Sequence, residues 1–106
     1  MTIKIPTFTK AIVEFWVKNE HIINPGDEII FEFALHGNPW QFSLKREDSP
    51  TGLYKYSLSG NGGEYGTWGR RYKTMSDAFL HVVNNLNENS NVKNRYSRLG
   101  EWIARK

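Results

Sequence analysis

The sequence predicts an α+β fold: a three- or four-stranded antiparallel β-meander packed against an N-terminal helix and two C-terminal helices. Three observations predict it. Runs of β-type side chains over 28–35, 40–46 and 53–58 are joined by short linkers containing Gly, Pro, Asn or Asp, as antiparallel hairpins require. Before and after these runs, apolar residues recur at helical spacing instead. The 106 residues, 39% of them hydrophobic, suit one domain with a modest core, and no linker is long enough to divide them.

Taken in order, Thr2-Ile3-Lys4-Ile5 is short and β-prone, and Pro6 stops it. Thr7 or Thr9 is placed to cap a helix. In that helix Phe8, Ile12, Phe15 and Trp16 share one face, while Lys10, Glu14 and Lys18 lie opposite at i,i+4 spacing. The same stretch is rich in β-branched and aromatic residues and would also suit a strand. Asn24-Pro25-Gly26-Asp27 is a turn signal ahead of the first long strand. In the run over 53–58, Tyr54, Tyr56 and Leu58 point one way and Leu53, Lys55 and Ser57 the other.

Residues 60–69 hold five of the nine glycines and read as a loop, with a fourth strand over 65–72. A helix is expected over 76–86, with Ser76 as N-cap, Asp77 in its first turn, and a stripe of Phe79, Val82, Val83 and Leu86. The polar run 87–91 ends it, and a last helix fits 92–104 with Val92, Tyr96, Leu99 and Ile103 on one face. Trp102 lies beside that stripe, where spacing does not decide between core and partner contact.

Composition narrows the function classes. There is no Cys, hence no disulfide, no thiol nucleophile and no Cys-ligated zinc. No apolar run approaches the roughly 18–20 residues that span a bilayer, so no membrane partner is expected. The first ten residues lack the apolar stretch of a secretory signal, which points to the cytoplasm. His21, His36 and His81 fall in three different elements and never pair at HExxH spacing. No GxSxG elbow and no GxxxxGK[ST] loop occur, and Gly60-Asn61-Gly62-Gly63-Glu64-Tyr65 puts Tyr at the last glycine position of GxGxxG. No catalysis, no cofactor and no metal are expected.

The net charge of +3 is unevenly spread, at −2 over residues 1–50 and +5 over 51–106. Two segments carry the surplus. In the first, Trp68, Arg70, Arg71, Tyr72 and Lys73 set three cations beside two aromatics, the residue types that bind phosphate and stack on bases. On a strand, Trp68, Arg70 and Tyr72 share one face, and Arg71 and Lys73 take the other. The second segment has Lys93, Arg95, Arg98, Arg105 and Lys106 against Glu101 alone. The partner-binding candidates are therefore Trp68, Arg70, Arg71 and Lys73, then Lys93, Arg95 and Arg98. Spacing leaves open whether the two segments share a face.

The order of helix, three strands, glycine-containing loop, basic residues and helix resembles the layout of a double-stranded-RNA-binding domain. That resemblance implies phosphate contacts by Arg70, Arg71 and Lys73 at the start of a helix. The family's basic-basic-x-Ala-basic motif is missing, and residues 76–86 contain one Ala. In size and style, the last two thirds of the chain resemble small accessory proteins of phages and prophages, among them anti-CRISPR inhibitors of host defence. Trp40 in a hairpin, the run Arg71-Tyr72-Lys73-Thr74-Met75-Ser76-Asp77-Ala78-Phe79, and the Asn-rich break before the final helix carry that likeness. It implies a non-enzymatic inhibitor or modulator that occupies a host protein or nucleoprotein surface, with direct nucleic-acid binding as the alternative. It carries over no residue roles, and oligomeric state stays open.

Overall fold

Alternating side chains pair into a sheet with one apolar and one polar face. The computed structural model describes residues 1–35, 37–62, 67–89 and 96–104. Its strands are β1 (Thr2–Ile5), β2 (Glu28–Leu35), β3 (Asn38–Arg46), β4 (Tyr56–Gly62) and β5 (Thr67–Tyr72), and they lie side by side in chain order. Along β2, Ile29 and Phe31 are buried; across β3 and β4 the register sets Phe42, Leu44, Tyr56 and Leu58 on the same side. Helices α1 (Lys10–Lys18), α2 (Met75–Asn89) and α3 (Leu99–Ala104) supply Val13, Trp16, Met75, Phe79, Val82, Val83 and Leu99 to that one core.

The α+β class holds, and the strand count and the all-antiparallel layout are corrected. Residues 2–5 form a fifth strand, and β1 runs parallel to β2, with Ile3 opposite Ile29 and Ile5 opposite Phe31. Parallel neighbours need a long crossover, and α1 with the following 3-10 turn Glu20–Ile22 provides it. The strand expected over 53–58 runs instead over Tyr56–Gly62, and the last strand begins at Thr67. Gly60 and Gly62 thus belong to a strand, where they stand opposite Phe42 and Trp40. A strand residue without a side chain gives such bulky neighbours room.

Helix ends follow their caps. Thr9 is extended, and its Oγ1 accepts from the Ile12 N–H at 3.3 Å. The α1 stripe is turned from the expected one: Val13 and Trp16 are buried, Ile12 and Val17 half-buried, and Phe15 is 51% exposed. Phe8 precedes the helix and packs as an aromatic hub, edge-on to Phe31 at 5.4 Å and stacked on Trp102 at 6.1 Å. Trp102 therefore closes the core.

Thr74, not Ser76, caps α2, its hydroxyl accepting from the Asp77 N–H at 3.1 Å. Positions 75, 78, 79, 82, 83 and 86 form the inward stripe. The helix continues through the asparagines to Asn89, since Asn lowers helix propensity without breaking a turn. Asn84 clamps the chain ahead of α3: its Nδ2 donates to the Tyr96 carbonyl and its Oδ1 accepts from the Tyr96 N–H, both at 2.9 Å. The helix expected over 92–104 starts at Leu99; residues 92–95 lie outside those described.

Candidate functional site

With every described helix on the apolar side, no described helix covers the other face of the sheet. One row across it reads Glu28, Lys45, Ser57, Arg71 in β2 to β5; the next reads Ile30, Ser43, Ser59, Gly69. The acidic members, Glu28 and Glu32, stand on β2, and the cations Lys4, Lys45 and Arg71 stand on β1, β3 and β5. Beyond this row a loop adds the cation Lys55, and the residue after β5 adds Lys73.

That loop, residues 47–55, is tightly built. The Lys55 carbonyl accepts from both Glu47 and Asp48 N–H groups, at 2.9 and 3.2 Å, so two residues oppose one as in a β-bulge. Lys55 in turn donates its N–H to the Tyr72 carbonyl at 2.9 Å, tying the loop to the end of β5. Ser49 N–H donates to the Tyr54 carbonyl at 2.9 Å, and Tyr54 N–H donates to Ser49 Oγ at 3.1 Å. Gly52 turns the chain at φ +74°, a left-handed conformation that favours glycine. Asp48 also has positive φ, and its carboxylate is paired with Arg46 Nε at 3.1 Å.

The loop and the residue after β5 enclose an open pocket of about 270 Å³, lined by Asp48, Ser49, Gly52, Tyr54, Lys55 and Lys73. At its wall the Arg71 guanidinium lies over the Tyr54 ring, 4.8 Å from the centroid. This is a cation–π contact, and it leaves the guanidinium edge able to donate. Lys45, Lys55, Arg71 and Lys73 thus form a basic corner with one aromatic in it.

The expected site residues divide between layers. Arg71 and Lys73 belong to the corner, as the alternation requires. Arg70 stands on the helix side, opposite Leu58, with Nη1 donating to the Gly69 carbonyl at 3.0 Å. There the Tyr72 and His81 rings meet at 5.7 Å. Burial, and then the Arg70 charge, make His81 less basic than an ordinary imidazole. Trp68 occupies β5 opposite Gly60, and its side chain lies outside the described atoms, as do Lys93 and Arg95 altogether.

Arg98 is 83% exposed just before α3 and reaches Glu101 at 3.5 Å. Since α3 packs on the apolar side through Leu99, Arg98 and Arg71 do not share a face. Arg70 and Arg71 lie in a strand, and Lys73 precedes the Thr74 cap, so these cations do not sit within the start of a helix as in the double-stranded-RNA-binding layout. Sequence reasoning missed Lys45, Ser49, Tyr54 and Lys55 as members of the corner. Their signal was the strand register, which a loop of nine residues conceals.

Among the described residues no group of three His, Asp or Glu side chains is placed to hold a metal ion, and no helix is long and apolar enough to cross a membrane. Compared with known proteins, the chain matches no family model, no curated protein and no solved structure.

Proposed function

We propose that the chain is a non-enzymatic binding protein that docks its basic corner against an anionic surface of a nucleoprotein, as an inhibitor or modulator of a host complex. The observation that carries this reading is the gathering of Lys55, Arg71 and Lys73 around Tyr54, with Lys45 in the same row as Arg71 on the open side of the sheet. On the open face Glu28 stands opposite Lys45, and Asp48 is paired with Arg46, while the cations Lys55, Arg71 and Lys73 gather at the far edge, around the end of β5. An anionic partner meeting this corner gains both steering at long range and bidentate donors at contact. The type of host complex is the one implied by the likeness to phage accessory proteins.

The test is affinity capture by the tagged chain from a low-GC bacterial lysate, with and without nuclease. Capture of a protein–nucleic-acid complex, weakened by salt and reduced at least tenfold by Arg71→Glu with Lys73→Glu, is the expected result. Undiminished capture by the double variant contradicts the reading. A second reading, direct nucleic-acid binding, is favoured by the aromatic ring within the cation cluster. It requires a labelled strand or duplex to shift with an affinity that falls steeply as salt rises; no shift at low salt excludes it.

A further inference from the structure

We infer that the pocket between the 47–55 loop and Lys73 binds a phosphate monoester of about mononucleotide size, either free or at the end of a strand. The inference rests on the reading of the basic corner as the binding surface, and it assigns the ligand chemistry of one part of that surface.

Two lysines, Lys55 and Lys73, line one cavity of about 270 Å³. That is just below the roughly 300 Å³ at which pockets for drug-sized ligands begin, and it suits one small ring or sugar with a charged end. A phosphate monoester carries about −1.5 to −2 charges near neutral pH, against one for a backbone diester, and so matches a pair of lysines. The one carboxylate in the lining, Asp48, is paired with Arg46 and is therefore not an unopposed negative charge.

The remaining lining is complementary to the rest of such a ligand. Ser49 Oγ accepts from Tyr54 N–H and keeps its own O–H to donate to a ligand. Tyr54 adds an aromatic wall beside the lysines, with Arg71 fixed on its ring. The backbone hydrogen bonds within the loop and to β5 hold the loop backbone in place before any ligand arrives. The ordering cost of binding then falls on the lysine side chains and not on the loop.

The experiment is an amide NMR titration of the full chain with inorganic phosphate, adenosine 5′-monophosphate, adenosine, and a short oligothymidylate with either a 5′-phosphate or a 5′-hydroxyl. The inference predicts shifts at residues 49–55 and 73, with the monophosphate bound at least tenfold more tightly than adenosine. Lys55→Gln with Lys73→Gln weakens it at least tenfold, with the rest of the spectrum unchanged. A 5′-phosphate on the oligonucleotide that moves the same amides identifies a strand end as a source; movement by the mononucleotide alone identifies the free ligand. Equal binding of monophosphate and adenosine, movement of these amides to the same extent by both oligonucleotides, or shifts only elsewhere in the chain overturn it. If the pocket stays silent while Arg71→Glu with Lys73→Glu still abolishes capture of the complex, the pocket assignment alone fails. If capture too is unaffected, the surface reading fails with it.

Discussion

Tyr56 is fully buried, and its hydroxyl donates to a Glu20 carboxylate oxygen at 2.6 Å, joining β4 to the turn after α1. Burial first, and the bond to Glu20 second, push the phenol well above its usual range, so it remains a donor at any ordinary pH. Tyr56→Phe removes a hydrogen bond to a charged acceptor that water can partly replace, and should cost about 1–2 kcal/mol in denaturant unfolding. Two other groups set the acid side of stability. The Asn24 N–H, then the Met1 ammonium, hold the Asp27 carboxyl below its usual value near 3.8. His81, half-buried, is held below 6.5. Both folded-state values are depressed, so in each case the unfolded chain binds the proton more readily and acid favours unfolding. Stability should decline as pH falls below about 6.5 through His81, and decline again below about 4 through Asp27. Unfolding midpoints measured across pH for the native chain and for His81→Gln check this: the variant should lose the first decline and keep the second.

At the scale of elements, α2 makes the largest helical contribution to the core. Phe79 is buried there against Phe31, with ring centroids 5.8 Å apart, and Phe8 lies at 6.2 Å. Phe79→Ala should destabilise the fold by about 3–5 kcal/mol, read from the shift in the denaturant midpoint. The α2 stripe, the strands β2 and β3 and the turn at Asn24 to Asp27 were legible because each shows its own period or turn chemistry locally. What was hidden is non-local. Four residues, Thr2 to Ile5, do not reveal that they pair in parallel with a strand more than twenty residues on. Likewise, Gly60 and Gly62 read as loop until Phe42 and Trp40 are known to face them across β3. The same displacement of β4 moved Tyr54 and Lys55 out of a strand and into the loop that shapes the pocket. Arg71 and Lys73 were singled out by the clustering of cations and aromatics, and alternation, which survives uncertainty about strand ends, set them on one face.

For the whole molecule, the decisive feature is a sheet with all described helices on one side. This arrangement separates the two basic segments that the charge distribution singled out. Arg71 and Lys73 face open solvent beside Lys45 and Lys55; Arg98 lies with the helical layer, where Glu101 partners it. A net charge of +3 would steer an anion only weakly if spread evenly. Concentrated around the 47–55 loop and the end of β5, the same charge gives the molecule a direction of approach.

The central claim is that this corner, and not the C-terminal basic segment, engages the partner. Its most direct test is capture of the partner complex by three forms of the tagged chain over a series of salt concentrations: native, Arg71→Glu with Lys73→Glu, and Arg98→Glu. All three substituted positions are exposed, so the fold should be retained and can be checked by thermal unfolding. The account predicts that the corner variant loses at least tenfold in capture and most of the salt dependence, while Arg98→Glu behaves as the native chain does. Equal capture by all three, or a loss confined to Arg98→Glu, would contradict it.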